Sequence, residues 1–131
     1  MTVSNFDPDV WPTPTTDWEW CGQAHHFIAG HSCRFHMATW VADGRFLVST
    51  VGDYRPDRDA KTKTMTTIGA GDDSFFETYV FTTDPDNRDP ESGHPPVTDW
   101  SEVVGERWAT HEQANEGHMR YCREYDGMTP P

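Results

Sequence analysis

The sequence predicts an α+β domain: an antiparallel sheet of about four strands, one C-terminal helix packed across it, and an extended N-terminal arm. Three stretches carry that reading. Arg34 to Tyr54 reads RFHMATWV-ADG-RFLVSTVGDY, two runs rich in β-branched and aromatic residues on either side of Asp43-Gly44, a strong hairpin signal. FFETYVFT, residues 75–82, alternates as a third strand. Thr110-x-x-Gln113 is a capping box at the head of an apolar stripe, Ala114, His118, Tyr121, Cys122 and Tyr125, spaced for one face of a helix.

Residues 1–20 read as the arm, 21–127 as the single domain and 128–131 as a tail. Pro8, Pro12 and Pro14 oppose helix in the arm. Phe6, Trp11, Trp18 and Trp20 lie along it, and large aromatics imply docking, on this protein's own sheet or on a partner. Strands are expected near 35–41, 45–52, 75–82 and 102–108, with the helix at 111–125. In the hairpin neither run has a fully polar face, so the sheet's second face should also be partly covered. Residues 83–99 are acidic, Pro-rich and without periodicity, a long loop. Gly105 reads as a bulge in the fourth strand and Gly127 as the helix's C-terminal cap. Gly117 costs about 1 kcal/mol in mid-helix, which points to a close approach of helix and sheet.

Composition bounds the function. Hydrophobic residues are only 34% of the chain, so a modest core carries polar loops, yet six Trp, seven Phe and four Tyr are too many for a disordered polymer. Twenty-two acidic against ten basic residues give a net charge of −12, which opposes basic-patch binding to nucleic acid or to anionic lipid. Arg55, Arg58, Lys61 and Lys63 form a weak basic cluster broken by Asp57 and Asp59. No apolar run is long enough to span a membrane, and the N-terminus lacks the pattern of a signal peptide, so a cytoplasmic location is expected. Cys21, Cys33 and Cys122 are an odd count, against a secreted disulfide framework.

Residues 21–36, CGQAHHFIAGHSCRFH, hold the densest chemistry. Cys21, His25, His31 and Cys33 are candidate zinc ligands, although the spacing matches no standard finger and the expected cofactor is none. Candidate bases are His118, Glu77 and the His25-His26 pair. His118 and Cys122 are neighbours on one helix face, but that face is the core stripe. Glu77 in an apolar strand is a candidate acid, or a partner for a cross-strand Thr, Arg or Lys. Gly69-x-Gly71 lacks the rest of a phosphate loop and is followed by Asp72-Asp73, so it reads as a turn. No catalytic constellation accompanies these residues, and no enzyme is expected.

Phe76, Glu77, Thr78, Val80 and Phe81, followed by Trp108, Thr110, Glu112, Ala114, Gly117 and His118, resemble a pattern in a group of small uncharacterised proteins of actinobacterial tailed phages. LVSTVGDYRP fits the same pattern, and the resemblance spans residues 34–125, leaving the Cys/His stretch and the Trp arm outside it. It implies a phage origin and a fold pattern, not an activity. The expectation is a non-catalytic accessory protein acting by protein–protein contact or self-assembly. It would sit in the virion as a decoration, connector or tail accessory component, or bind a host or defence factor in the host cytoplasm. The alternatives are a small zinc-binding module built on residues 21–36 and an acidic DNA-mimic inhibitor.

Overall fold

A computed structural model describes residues 14–27, 30–56, 65–69, 71 and 73–130. Phe6 and Trp11 of the arm, Arg58, Lys61 and Lys63 of the basic cluster, and Asp72 lie outside the described residues. Five strands, β1 (Glu19–Cys21), β2 (Cys33–Val41), β3 (Phe46–Tyr54), β4 (Phe76–Thr83) and β5 (Val97–Trp108), form one antiparallel sheet in the order β1-β2-β3-β4-β5. One helix, α1 (His111–Tyr125), crosses it. The α+β architecture is as the sequence predicts, with one strand more.

Period-two alternation sorts the two cores. Val41, Phe46, Val48 and Val80 face α1 and meet Tyr121 and Cys122. Ala38, Trp40, Leu47, Val51 and Phe81 face the other way, under Ala24 and beside Ile68. Burying each large side chain of this kind stabilises by roughly 1.5–3 kcal/mol. The second face is therefore covered, by residues 22–27 and 30–32 and by the loop at 84–96. That acidic loop folds back onto the sheet: Trp40 Nε1 donates to Pro95 O at 3.0 Å, and His94 stacks on Trp40 with ring centroids 4.2 Å apart. Arg88 adds a two-pronged contact to Glu19, each N···O at 2.8 Å.

α1 begins as its capping box dictates, with Gln113 N donating to Thr110 Oγ1 at 3.1 Å and Thr110 N to Gln113 Oε1 at 3.3 Å. Gly117 is there for contact: a Cβ on it would lie 2.1 Å from the Trp108 indole. Other expectations are adjusted or corrected. The hairpin does centre on Asp43-Gly44, inside a four-residue loop closed by Val41↔Phe46, but the left-handed backbone begins already at Ala42 (φ 55°) and Asp43 (φ 56°), with Gly44 N donating to Val41 O at 3.2 Å. Holding Ala42 left-handed costs about 1 kcal/mol; its N–H in turn donates to Thr16 Oγ1 at 2.9 Å. Gly105 is no bulge, since it pairs in register with Tyr79, and the irregularity falls between Val80 and Thr83. Its small size serves the Tyr79 ring, which would lie 2.2 Å from a Cβ at that position.

Nor does Gly127 cap α1. The C-cap is Asp126, with right-handed backbone angles. Its carboxylate accepts from Thr15 N (2.7 Å), Thr15 Oγ1 (2.9 Å), Thr16 N (3.1 Å) and Trp18 Nε1 (2.8 Å), and from the Thr16 hydroxyl. Burial would raise its pKa, but these donors outweigh burial and hold it at about 2. The end of the arm is thus clamped to the helix end and runs on into β1, whose residues pair Glu19↔Trp40 and Cys21↔Ala38. A domain boundary after residue 20 cuts through β1; of the two docking places expected for the arm, its described end takes the protein's own sheet and helix end, and removing residues 1–20 should destabilise the fold. Asp126→Ala should cost about 2 kcal/mol in urea unfolding and speed hydrogen exchange across residues 15–21, with Asp126→Asn intermediate. An unchanged exchange pattern would show that the arm is held by something else.

Candidate functional site

The candidate residues fall into two polar assemblies, one on each face of the sheet. Beneath α1, His118 is fully buried, with Nε2 2.8 Å from Thr39 Oγ1 and Nδ1 2.7 Å from Thr50 Oγ1. Thr50 Oγ1 lies 2.6 Å from Thr78 Oγ1, which accepts from Trp108 Nε1 at 2.9 Å. Because an indole N–H only donates, the run can order itself: Trp108 to Thr78, Thr78 to Thr50, Thr50 to His118 Nδ1. Nε2–H then donates to Thr39, and His118 is neutral. Burial depresses its pKa to about 3 and raises the Cys122 thiol to about 12. A thiol–imidazole nucleophile needs a thiolate and an approach path. This pair has neither, and it sits in the core stripe as the sequence reading placed it.

The second assembly joins residues that the sequence kept apart. Glu77 on β4 is fully buried, and its partners come from three elements. His26, from the coil before β2, places Nε2 3.1 Å from Glu77 Oε2 and Nδ1 2.7 Å from Ser49 Oγ on β3. Arg107, cross-strand to Glu77 on β5, donates from Nε to Oε1 at 3.2 Å. Burial pushes the Glu77 carboxyl up, but the bond and charge of His26, the Tyr79 hydroxyl and the Arg107 charge together hold it below the usual range. In return, burial and the Glu77 charge raise the Tyr79 hydroxyl.

Ser49, His26 and Glu77 are thus a serine–histidine–acid string. Acyl transfer requires the serine oxygen to meet a carbonyl carbon. Ser49 is 1% exposed and lies under the His26 ring, so no acyl group reaches it. Among the described residues no buried side-chain nitrogen or oxygen lacks a partner. The string is a satisfied network, and the cross-strand arginine is one of the partners expected for Glu77.

Above His26 the surface opens into a groove of about 500 Å³. The aromatic rings of Phe27, Tyr79, Phe81 and Trp100 line it, together with His25, His31 and Glu102. The rings meet steeply, Phe81 to Trp100 at 68° and Tyr79 to Phe81 at 84°. Trp100 is 61% exposed on β5. Sequence reasoning missed Ser49, Tyr79, Trp100 and Glu102; only the period of two, which sets Ser49, Glu77 and Tyr79 on one face, hinted at the first two.

The zinc candidates do not converge. Cys21 is half-buried on β1, and Cys33 is buried at the start of β2, where burial, then Asp53 and Glu77, push its thiol up to about 11. His25 bonds Gln23 Oε1 at 2.9 Å, with its ring 6.1 Å from that of His31. Among the described residues no group of three or more His, Cys, Asp or Glu is placed to hold a metal ion. Of the arm's partner-binding candidates, Trp18 is bonded to Asp126 within the chain, and Trp20 stands 52% exposed on β1. No protein-family model, curated protein or solved structure matches this chain. Among the described residues no helix is long and apolar enough to cross a membrane.

Proposed function

We propose that the protein works by protein–protein contact, without chemistry of its own, as a phage accessory protein built into the virion or bound to a host factor. The phage setting rests on the strand and helix pattern noted above. The contact reading rests on β5. This strand is twelve residues long, pairs among the described residues with β4 alone, and exposes residues 98–103 without interruption, because residues 100–103 bulge past Phe81 between the pairs Thr82↔Asp99 and Val80↔Val104. The bulge lifts Trp100 and Val103 out of the ladder as exposed apolar contacts, and the regularly paired run from Val104 to Trp108 beside it leaves an open edge for an added strand. Asp99 and Glu102 give it an acidic character in a chain of net charge −12, while Glu106 is taken up by Arg120 and Tyr121 of α1. Self-pairing would set acid beside acid, so the strand that fits is a basic segment of another protein.

A photoreactive amino acid at Val103 should form adducts during infection, whereas one at the exposed Glu116 of α1 should not. Adducts at Glu116 alone would refute the edge reading. Many copies in purified particles would identify a virion component, and adducts with a single host protein the other role. Zinc below about 0.3 per purified chain would end the metal-module alternative.

A further inference from the structure

We infer that the groove beside β5 is a socket for a guanidinium group, an arginine side chain offered by the basic segment proposed above; the source of the cation rests on that reading. Three features carry the assignment. First, the walls are aromatic and held in place: the His26 ring lies 5.0 Å from Tyr79 and 5.8 Å from Phe81, and Tyr79 is laid across Gly105. Rings fixed before binding present their electron-rich faces at no ordering cost.

Second, an unpaired anion stands on the lining. Glu77 is already bonded by His26 and by Arg107, whose guanidinium also reaches the Tyr79 hydroxyl at 3.5 Å, whereas the exposed Glu102 has no ion-pair partner among the described residues. Burial, then the neighbouring His36 and His31, lower the pKa of His25, so that ring adds no positive charge at neutral pH. Third, the rings stand steeply to one another, Tyr79 to Phe81 at 84° and Phe81 to Trp100 at 68°, around an open groove. A flat guanidinium can lie on a ring face and present two parallel N–H groups to a carboxylate, a planar fork that an ammonium lacks.

The test is a titration of the full chain with N-acetyl-arginine methylamide, followed by NMR. Saturable shifts are expected at the Trp100 indole N–H and at the amides of Tyr79 and Glu102, with millimolar affinity. The neutral citrulline analogue and the Glu102→Gln variant should each weaken binding about tenfold, and Trp100→Ala should abolish it. Both altered side chains are exposed, so unchanged spectra elsewhere will show the fold intact. No saturation by about 50 mM probe, equal binding of citrulline, or tighter binding of tetramethylammonium would overturn the guanidinium assignment. Loss of Val103 adducts with probe binding retained would sink the edge reading alone; the reverse would sink the socket alone.

Discussion

Glu77→Ala should destabilise the protein by about 3–5 kcal/mol, read as a fall in the urea midpoint at constant slope. The carboxylate is fully buried and accepts from His26 at 3.1 Å and Arg107 at 3.2 Å. Its removal leaves the His26 ring, itself 1% exposed, with one nitrogen facing an empty space. It also strips Arg107 of its neutralising charge. Most of the expected loss is the desolvation of those orphaned partners. Two further variants separate this from a catalytic role. Glu77→Gln keeps one acceptor and should cost about 1–2 kcal/mol. The double variant Glu77→Leu with His26→Leu removes both members of the buried pair, and should be less destabilised than the sum of its singles by at least about 1 kcal/mol. An acid kept for chemistry is commonly held at the expense of stability, so a Glu77→Gln protein as stable as the parent, or more so, would contradict the structural role.

The legible parts of this fold are those written in neighbouring residues. The β2–β3 hairpin, β4 and the start of α1 each carry their signal within a few positions, and each lies close to where it was expected. What could not be read depends on residues far apart. β1 is three residues in a Pro- and Trp-rich stretch, and its anchor, Asp126, lies 111 positions from Thr15. The glycine after α1 looked like the stop signal because glycine there usually is one; instead a tight turn, Met128 N donating to Tyr125 O at 3.1 Å, closes the helix end while the Asp126 carboxylate is fixed by five long-range donors. The string of Ser49, His26 and Glu77 needed the β3–β4 register, Ser49↔Tyr79 and Val51↔Glu77, which no local pattern sets across the intervening loop. His26 comes from coil with no periodicity at all. β5 begins at Val97, inside the stretch 83–99 that read as loop, and the bulge that turns Trp100 outward depends on the β4–β5 register and not on any local pattern.

Acid should weaken this fold well before most carboxylates titrate, and His118 is the reason. Its pKa falls from an ordinary 6.5 to about 3 on folding, because burial disfavours the charged ring. The folded state therefore binds fewer protons than the unfolded chain between those two values, and stability is lost as pH falls through that interval. Above pH 6.5 both states are neutral and the effect vanishes. The slope for one such group is about 1.4 kcal/mol per pH unit, giving a loss on the order of 4 kcal/mol by pH 3.5. Two carboxylates act in the same direction but lower down: Asp126, held at about 2, and Glu77, held below its ordinary 4.5, lose their stabilisation only as pH drops beneath about 4.5. The interval from 6.5 to 4.5 is thus dominated by His118, with a smaller share from the exposed His25, whose pKa is also lowered. Urea unfolding at half-unit steps of pH will show the slope. His118→Gln offers Thr50 an acceptor and Thr39 a donor without titrating. It should sacrifice some stability at pH 7 and flatten the profile between 6.5 and 4.5. A parent profile flat over that interval, or a Gln variant as steep as the parent, would mean that the imidazole is protonated inside the core or reaches water, and the ordered run from Trp108 to Thr39 would have to be abandoned.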